Sequence, residues 1–205
     1  MRGPARGPAA DAHVVRPPAQ ALSRSCFLRR DFISTLQRKI AITAVSPSAL
    51  RGQARPGLIT AIRHSLSTAP LKPFGVASSK LFAARLDGLT QRLCRCLGRP
   101  HIDWGVGRKA ANLFLREAFY NVYLRHRYRL ELAEQHYEVP LDGKVAERLL
   151  ESADHQLPKW MGVKYLSPAT SELYQAEAIV QAARLGLARV HLDLYLWLDP
   201  PPAAA

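Results

Sequence analysis

Two glycines followed at once by two cations form the stretch of this sequence with the clearest chemical potential. Gly105 and Gly107 are separated by one residue, and Arg108 and Lys109 follow them. Glycines at a turn let backbone N–H groups approach a phosphate because no Cβ is in the way. A helix that starts there also directs the positive end of its dipole at that phosphate. We therefore predict that Gly105, Gly107 and Arg108 bind backbone phosphates, a contact with little sequence preference.

Two other interpretations of this stretch stay open. The glycines can belong to an ordinary helix start, with a purely structural role. Gly105, Gly107 and Ala110 also fit the spacing of a dinucleotide-binding fingerprint, but that motif requires a preceding strand, and residues 101–104 do not have the pattern of one.

Lys109 and Asp142 are the residues that could carry out a reaction. A lysine amine at a helix start, beside other positive charge, has a lowered pKa and is more available as a nucleophile. A carboxylate such as that of Asp142 could stabilise a cationic intermediate. Alternatively, Lys109 is a solvated phosphate contact and Asp142 is the N-cap of the apolar helix that follows it. An N-cap and a catalytic carboxylate are compatible roles.

Residues 105–112 (GVGRKAAN) and 139–145 (VPLDGKV) together resemble the helix-hairpin-helix DNA glycosylase superfamily, the group of endonuclease III and the 8-oxoguanine glycosylases. The resemblance covers roughly residues 79–153. It places Lys109 on the position of the family's nucleophilic lysine and Asp142 on that of its aspartate. The sequence departs from the family in Asp103 and Trp104 before the first glycine, in Gly143 and Lys144 after the aspartate, and in lacking iron–sulfur cysteines.

The resemblance implies base-excision repair of double-stranded DNA by a glycosylase and AP lyase, acting as a monomer without a cofactor or metal. The damaged base would leave the stack to reach the site. Candidates for base stacking or a wedge are Trp104, Trp160, Tyr120, Tyr123 and Phe74. For Trp160, packing within a loop is the favoured alternative. Two other functions stay open: a non-catalytic DNA-binding module that uses the same hairpin, and a basic helical scaffold protein.

Two further groups of polar residues have both a functional and a structural interpretation. Residues 125–129 (RHRYR) mix basic and aromatic side chains, as nucleic-acid surfaces do, or form the solvated end of a long helix. His191 and Asp193 would share one side of a strand over residues 189–198 and could form an acid–base couple, although a surface ion pair is favoured.

The elements that must position these residues are helices. Leu81, Phe82, Leu86, Leu89 and Leu93 recur at helical spacing and predict a helix over Ser79–Leu97. Further helices are predicted at 32–44 with Asp31 as its cap, and at 57–67, 110–130, 142–153 and 170–185. Residues 190–198 form a helix or a strand. The predicted fold is all-α, with a helix-hairpin-helix element over about 79–130 inside a helical domain of residues 31–199.

Composition limits the partners. The formal charge of +13 over 205 residues favours a polyanionic partner. No apolar stretch is long enough to predict a membrane span, and Cys26, Cys94 and Cys96 are too few for a disulfide framework or a zinc site. Residues 1–30 are rich in Arg and Pro and are predicted to form a disordered basic arm. We expect a cytoplasmic, nucleoid-associated location in a bacterium, with organelle targeting by the arm as an alternative.

Overall fold

The computed structural model describes residues 19–50, 57–97 and 103–197, with only the backbone for residues 19–30 and 97. The chain divides into two units, residues 1–32 and 33–205. Throughout the described ranges the secondary structure is helical, which confirms the all-α prediction. None of the described helices is both long enough and apolar enough to cross a membrane.

The α-helices are α1 (Ala19–Ala44), α2 (Leu58–Ser67), α3 (Ser79–Leu97), α4 (Trp104–Tyr120), α5 (Val122–Tyr128), α6 (Gly143–Ser152), α7 (Pro168–Arg184) and α8 (Arg189–Trp197). Short 3₁₀ helices occur at Lys72–Phe74, Leu130–His136 and Val163–Tyr165. The predicted bounds of α3 are confirmed, and those of α2, α6 and α7 are correct to within about two residues.

The start of α1 differs from the prediction. Asp31 is not a cap but lies inside the helix, which begins at Ala19. Pro17 and Pro18 precede that start, and no glycine or proline separates it from Asp31. Because no helix-breaking residue lies between Ala19 and Asp31, nothing in the sequence requires a helix to start at Asp31. The helix thus runs across residue 30, the predicted end of the basic arm, and residues 1–18 of that arm lie outside the described residues.

The helix predicted over residues 110–130 is instead two helices. Asn121 has an extended backbone, and its side chain accepts hydrogen bonds from the amides of Tyr123 and Leu124, so it caps α5. Asparagine competes with helical hydrogen bonding in this way because its short side chain reaches the amides that follow it. Arg129, in the left-handed region at φ 55°, ends α5.

Residues 189–197 form a helix, so the strand alternative is wrong. A strand needs a neighbour to satisfy its backbone groups, and the described ranges contain no other strand. As a helix, α8 satisfies its own backbone and buries Val190 and Leu192.

Two clusters of buried apolar side chains form within residues 33–205. The first includes Ile62 of α2, Phe82 of α3 and Phe114 of α4. The second includes Leu149 of α6 and Tyr174 of α7. Helix α4 begins between them, because Val106 belongs to the first cluster whereas Trp104 packs against the second.

Candidate functional site

Gly105 and Gly107 lie in the first turn of α4 and are buried against other elements. A Cβ on Gly105 would stand 2.2 Å from the carbonyl oxygen of Val163, and one on Gly107 would stand 2.9 Å from the sulfur of Cys94. The glycines therefore allow close packing on either side of α4, which corrects the prediction that they clear space for a phosphate. Residues 98–102, the approach to the predicted hairpin, lie outside the described residues.

Arg108 is committed to internal ion pairs. Its Nη1 donates to Asp87 Oδ1 at 2.6 Å, and its Nη2 and Nε donate to the two carboxylate oxygens of Glu138 at 2.7 and 2.8 Å. Burial opposes the charge, yet these bonds raise the pKa of Arg108 above its usual value. The guanidinium also lies over the Trp104 ring, 5.3 Å from its centroid. Arg108 is thus paired within the protein, contrary to the predicted phosphate contact.

Lys109 and Asp142, 33 residues apart in the chain, meet in the structure. Lys109 Nζ donates to Asp142 Oδ2 at 3.5 Å. The two side chains are 10% and 18% exposed. Burial lowers the pKa of the Lys109 amine, although the charge and hydrogen bond of Asp142 act in the opposite direction.

Local structure fixes the carboxylate of Asp142. Its second oxygen, Oδ1, accepts the amide of Val145 at 3.0 Å, which makes Asp142 the N-cap of α6, as predicted. Such a cap contributes about 1 kcal/mol to stability. One oxygen thus holds the helix start while the other faces Lys109.

The Lys109–Asp142 pair lines two adjoining cavities of about 440 and 880 Å³, which we call the small lobe and the large lobe of one cleft. The lobes share five lining residues: Ser48, Ala49, Lys109, Asp142 and Gly143. Ser46, Ser48 and Ala49, which follow α1, also line the cleft, a position that their residue types alone did not predict.

Charge differs between this cleft and a third cavity. The cleft lining contains the cations Lys109, Lys144, Lys164 and Arg116 and the carboxylates Asp142 and Asp193. The third cavity, of about 640 Å³, is lined by Asp87, Glu138 and Glu172 with Arg95 and Arg108. Because a polyanion is repelled by excess carboxylate, the cleft at Lys109 suits such a ligand better.

Four of the five aromatic residues predicted for base stacking pack within the protein. Trp160 contacts Tyr174 edge-on with ring centroids 5.5 Å apart, in agreement with the alternative that it packs within a loop. The Tyr120 hydroxyl hydrogen-bonds to His191 Nδ1 at 3.1 Å. Trp104 lies beneath Arg108, and Phe74 is buried. Tyr123 is exposed but lines neither lobe.

Two exposed aromatic residues that the sequence analysis missed, Tyr165 and Trp197, line the cleft instead. Tyr165 belongs to the small lobe and Trp197 to the large one. The signal for Tyr165 was present, since Lys164 and Tyr165 form a basic–aromatic pair two and three residues after the loop glycine Gly162.

The other two polar groups also have specific partners. His191 pairs with Glu134 at 2.8 Å, and Asp193 pairs with Arg116, so the two residues do not form a couple with each other. In the 125–129 run, Arg125 lies over the Phe119 ring, whereas Arg127 and Arg129 are exposed near the end of α5.

No family model, curated protein or solved structure matches the chain. The geometry and charge of the cleft are therefore the basis on which a function can be inferred.

Proposed function

We propose that this protein binds double-stranded DNA at the cleft and excises a damaged base, with Lys109 as the nucleophile and Asp142 as its partner. The observation that carries the proposal is the meeting of Lys109 Nζ and Asp142 Oδ2 at 3.5 Å, where the two lobes join. A buried amine with a lowered pKa is a better nucleophile than an exposed lysine because more of it is unprotonated near neutral pH.

The reaction would proceed by displacement at the deoxyribose. The Lys109 nitrogen forms a bond to C1′ while the glycosidic bond breaks, and the base leaves with the bonding electrons. The attacking nitrogen loses a proton, and the departing base takes one up. Ring opening of the sugar then gives a Schiff base between Lys109 and C1′. The carboxylate of Asp142 stabilises the positive charge that develops on the sugar.

A non-catalytic DNA-binding module is the second candidate, and the same contact supports it. An ammonium paired with the capping carboxylate would hold α4 to α6 without any reaction. Both candidates expect DNA in the cleft, but only the first expects a covalent intermediate.

Borohydride trapping tests the chemistry, because borohydride reduces a Schiff base to a stable amine. Duplexes with an abasic site, or with one oxidised, deaminated or alkylated base, serve as probes. We expect a covalent protein–DNA adduct on denaturing gels with at least one of them. Lys109→Ala should abolish the adduct, whereas the control Lys144→Ala, at another lysine of the large lobe, should retain it. Binding to DNA without any adduct would favour the non-catalytic module.

Asp142→Asn gives a pH-dependent test of the same pair. Asparagine retains the N-cap because its side-chain oxygen accepts the same amide. Loss of the carboxylate charge removes an interaction that raises the pKa of Lys109, so that pKa should fall further. The midpoint at which adduct formation rises with pH should therefore move to lower pH, while the plateau rate falls about a hundredfold. An unchanged midpoint would contradict the pairing.

A further inference from the structure

The turn at residues 161–165 exposes two large apolar side chains beside the small lobe. Met161 is 63% exposed and Tyr165 is 68% exposed, and both line that cavity. Packing of the fold does not explain these two side chains, because neighbouring residues provide the buried contacts here. Leu166 is buried, and Trp160 packs on Tyr174.

This turn is firmly attached at both of its ends. On one side, the Tyr174 hydroxyl donates to the carbonyl of Pro158 at 2.7 Å. On the other, the carbonyl of Val163 and the side chain of Leu166 lie against Gly105 of α4, so closely that any Cβ there would collide with them. Gly162 allows the change of direction at φ 101°, a value that favours glycine. Met161 and Tyr165 are therefore presented from a supported turn.

We propose that this turn contacts an unpaired stretch of a nucleic acid strand, with Tyr165 stacking on a base and Lys164 binding a neighbouring phosphate. This inference rests on the proposed function, since it places DNA in the cleft. It adds a second contact, separate from the reaction at Lys109, that selects for strands whose bases are not paired.

Charge and ring geometry favour a nucleic acid strand as the occupant. Lys164 Nζ lies 5.7 Å from the centroid of the Tyr165 ring, so a cation and an aromatic face are presented together. Between Asp154 and Glu172 the sequence has no acidic residue, whereas Lys159 and Lys164 add positive charge. Stacking platforms flanked by cations are typical of sites that bind unpaired strands.

Whether the bases of the DNA are paired decides whether the Tyr165 ring can stack on one of them. In an intact duplex the base faces are stacked on one another, and a side chain meets mainly phosphates and groove edges. Next to an extruded or missing base, one face becomes available to an aromatic ring. Tyr165 should therefore add affinity for a duplex with a missing base and little for a fully paired one.

The experiment measures binding of the full chain by fluorescence anisotropy to two duplexes of one sequence, one fully paired and one with a tetrahydrofuran abasic analogue. Tyr165→Leu should weaken binding to the abasic duplex about tenfold, which corresponds to the loss of one stacked base. Its affinity for the paired duplex should not change. Tyr165→Phe retains the ring and should bind as the unmodified chain does.

Tyr123→Leu, at an exposed tyrosine of α5 that lines neither lobe, is the matched control and should leave both affinities unchanged. Lys164→Gln should make the slope of log affinity against log salt shallower by about one. Thermal unfolding of each variant reports whether it is folded.

Equal effects of Tyr165→Leu on both duplexes, or no effect on either, would overturn the inference. A protein that selects the abasic duplex through Tyr165 but gives no borohydride adduct would overturn the excision reaction and retain this inference. If the unmodified protein gives the adduct but Tyr165→Leu binds the abasic duplex normally, this inference is overturned and the excision reaction is retained. If the unmodified chain binds neither duplex, both proposals fail.

Discussion

Arg108 and Lys109 are neighbours in sequence that face different carboxylates. Successive residues of a helix point about 100° apart, so adjacent cations can face different elements. Arg108 faces Glu138 and Asp87, whereas Lys109 faces Asp142 and the cleft. Two cations after a glycine pair therefore have different roles here, one in stability and one in the proposed chemistry.

Replacement of Arg108 should destabilise the fold. Burial raises the pKa of Glu138, but the hydrogen bonds and charge of Arg108 hold that pKa below its ordinary value. Arg108→Met would leave this carboxylate without its main partner. Breaking a buried ion pair in this way costs about 3–5 kcal/mol. Urea denaturation should show that loss, whereas the control Arg127→Met, at an exposed arginine of α5, should stay within about 0.5 kcal/mol. A variant as stable as the unmodified protein but defective in DNA binding would instead restore the phosphate-contact hypothesis.

Helix α4 is the element that organises the cleft. Gly107 brings it close to α3, and Gly105 lets the turn at residues 161–165 approach it. One turn after Gly105, the same helix presents Lys109 to the cleft. The packing of α4 therefore sets the positions of both the Lys109 amine and the turn at residues 161–165 that carries Tyr165.

Two glycine-to-alanine changes separate packing from helix propensity. In Gly105→Ala the new methyl group would collide with the Val163 carbonyl, so we expect destabilisation of about 1–3 kcal/mol. Gly88→Ala, inside α3, meets no atom within 4 Å and should instead stabilise the protein by about 0.5–1 kcal/mol. Denaturant midpoints measure both changes. A stabilising Gly105→Ala would show that the turn does not pack there.

Across the whole molecule, the positive charge is divided between internal and exposed sites. Arg108 and Arg116 are paired with buried or half-buried carboxylates, and Arg189 donates to main-chain carbonyls. Other cations of the described residues are exposed and available to a partner, among them Lys159 and Lys164, of which Lys164 lines the small lobe.

Binding of the unmodified protein to fully paired DNA should depend steeply on salt. If three lysines near the cleft each neutralise a phosphate, the slope of log affinity against log salt is about −3, because each contact contributes about −0.9. Anisotropy titrations at several potassium chloride concentrations give the slope directly. A flat dependence would favour the scaffold alternative, which needs no polyanion.

The sequence by itself determined the features that depend on neighbours within a few turns of chain. Leucines at helical spacing predicted α3, and Asp142 before an apolar helix predicted its N-cap, since both rules act locally. The approach of Lys109 to Asp142 was expected only through the family resemblance. Tertiary structure alone decided that Gly105 and Gly107 face packed elements, that Arg108 turns inward, and that Tyr165 rather than Trp160 borders the cleft. The reason is physical: the direction in which a side chain points is set locally, but what it meets there is set by elements distant in the chain.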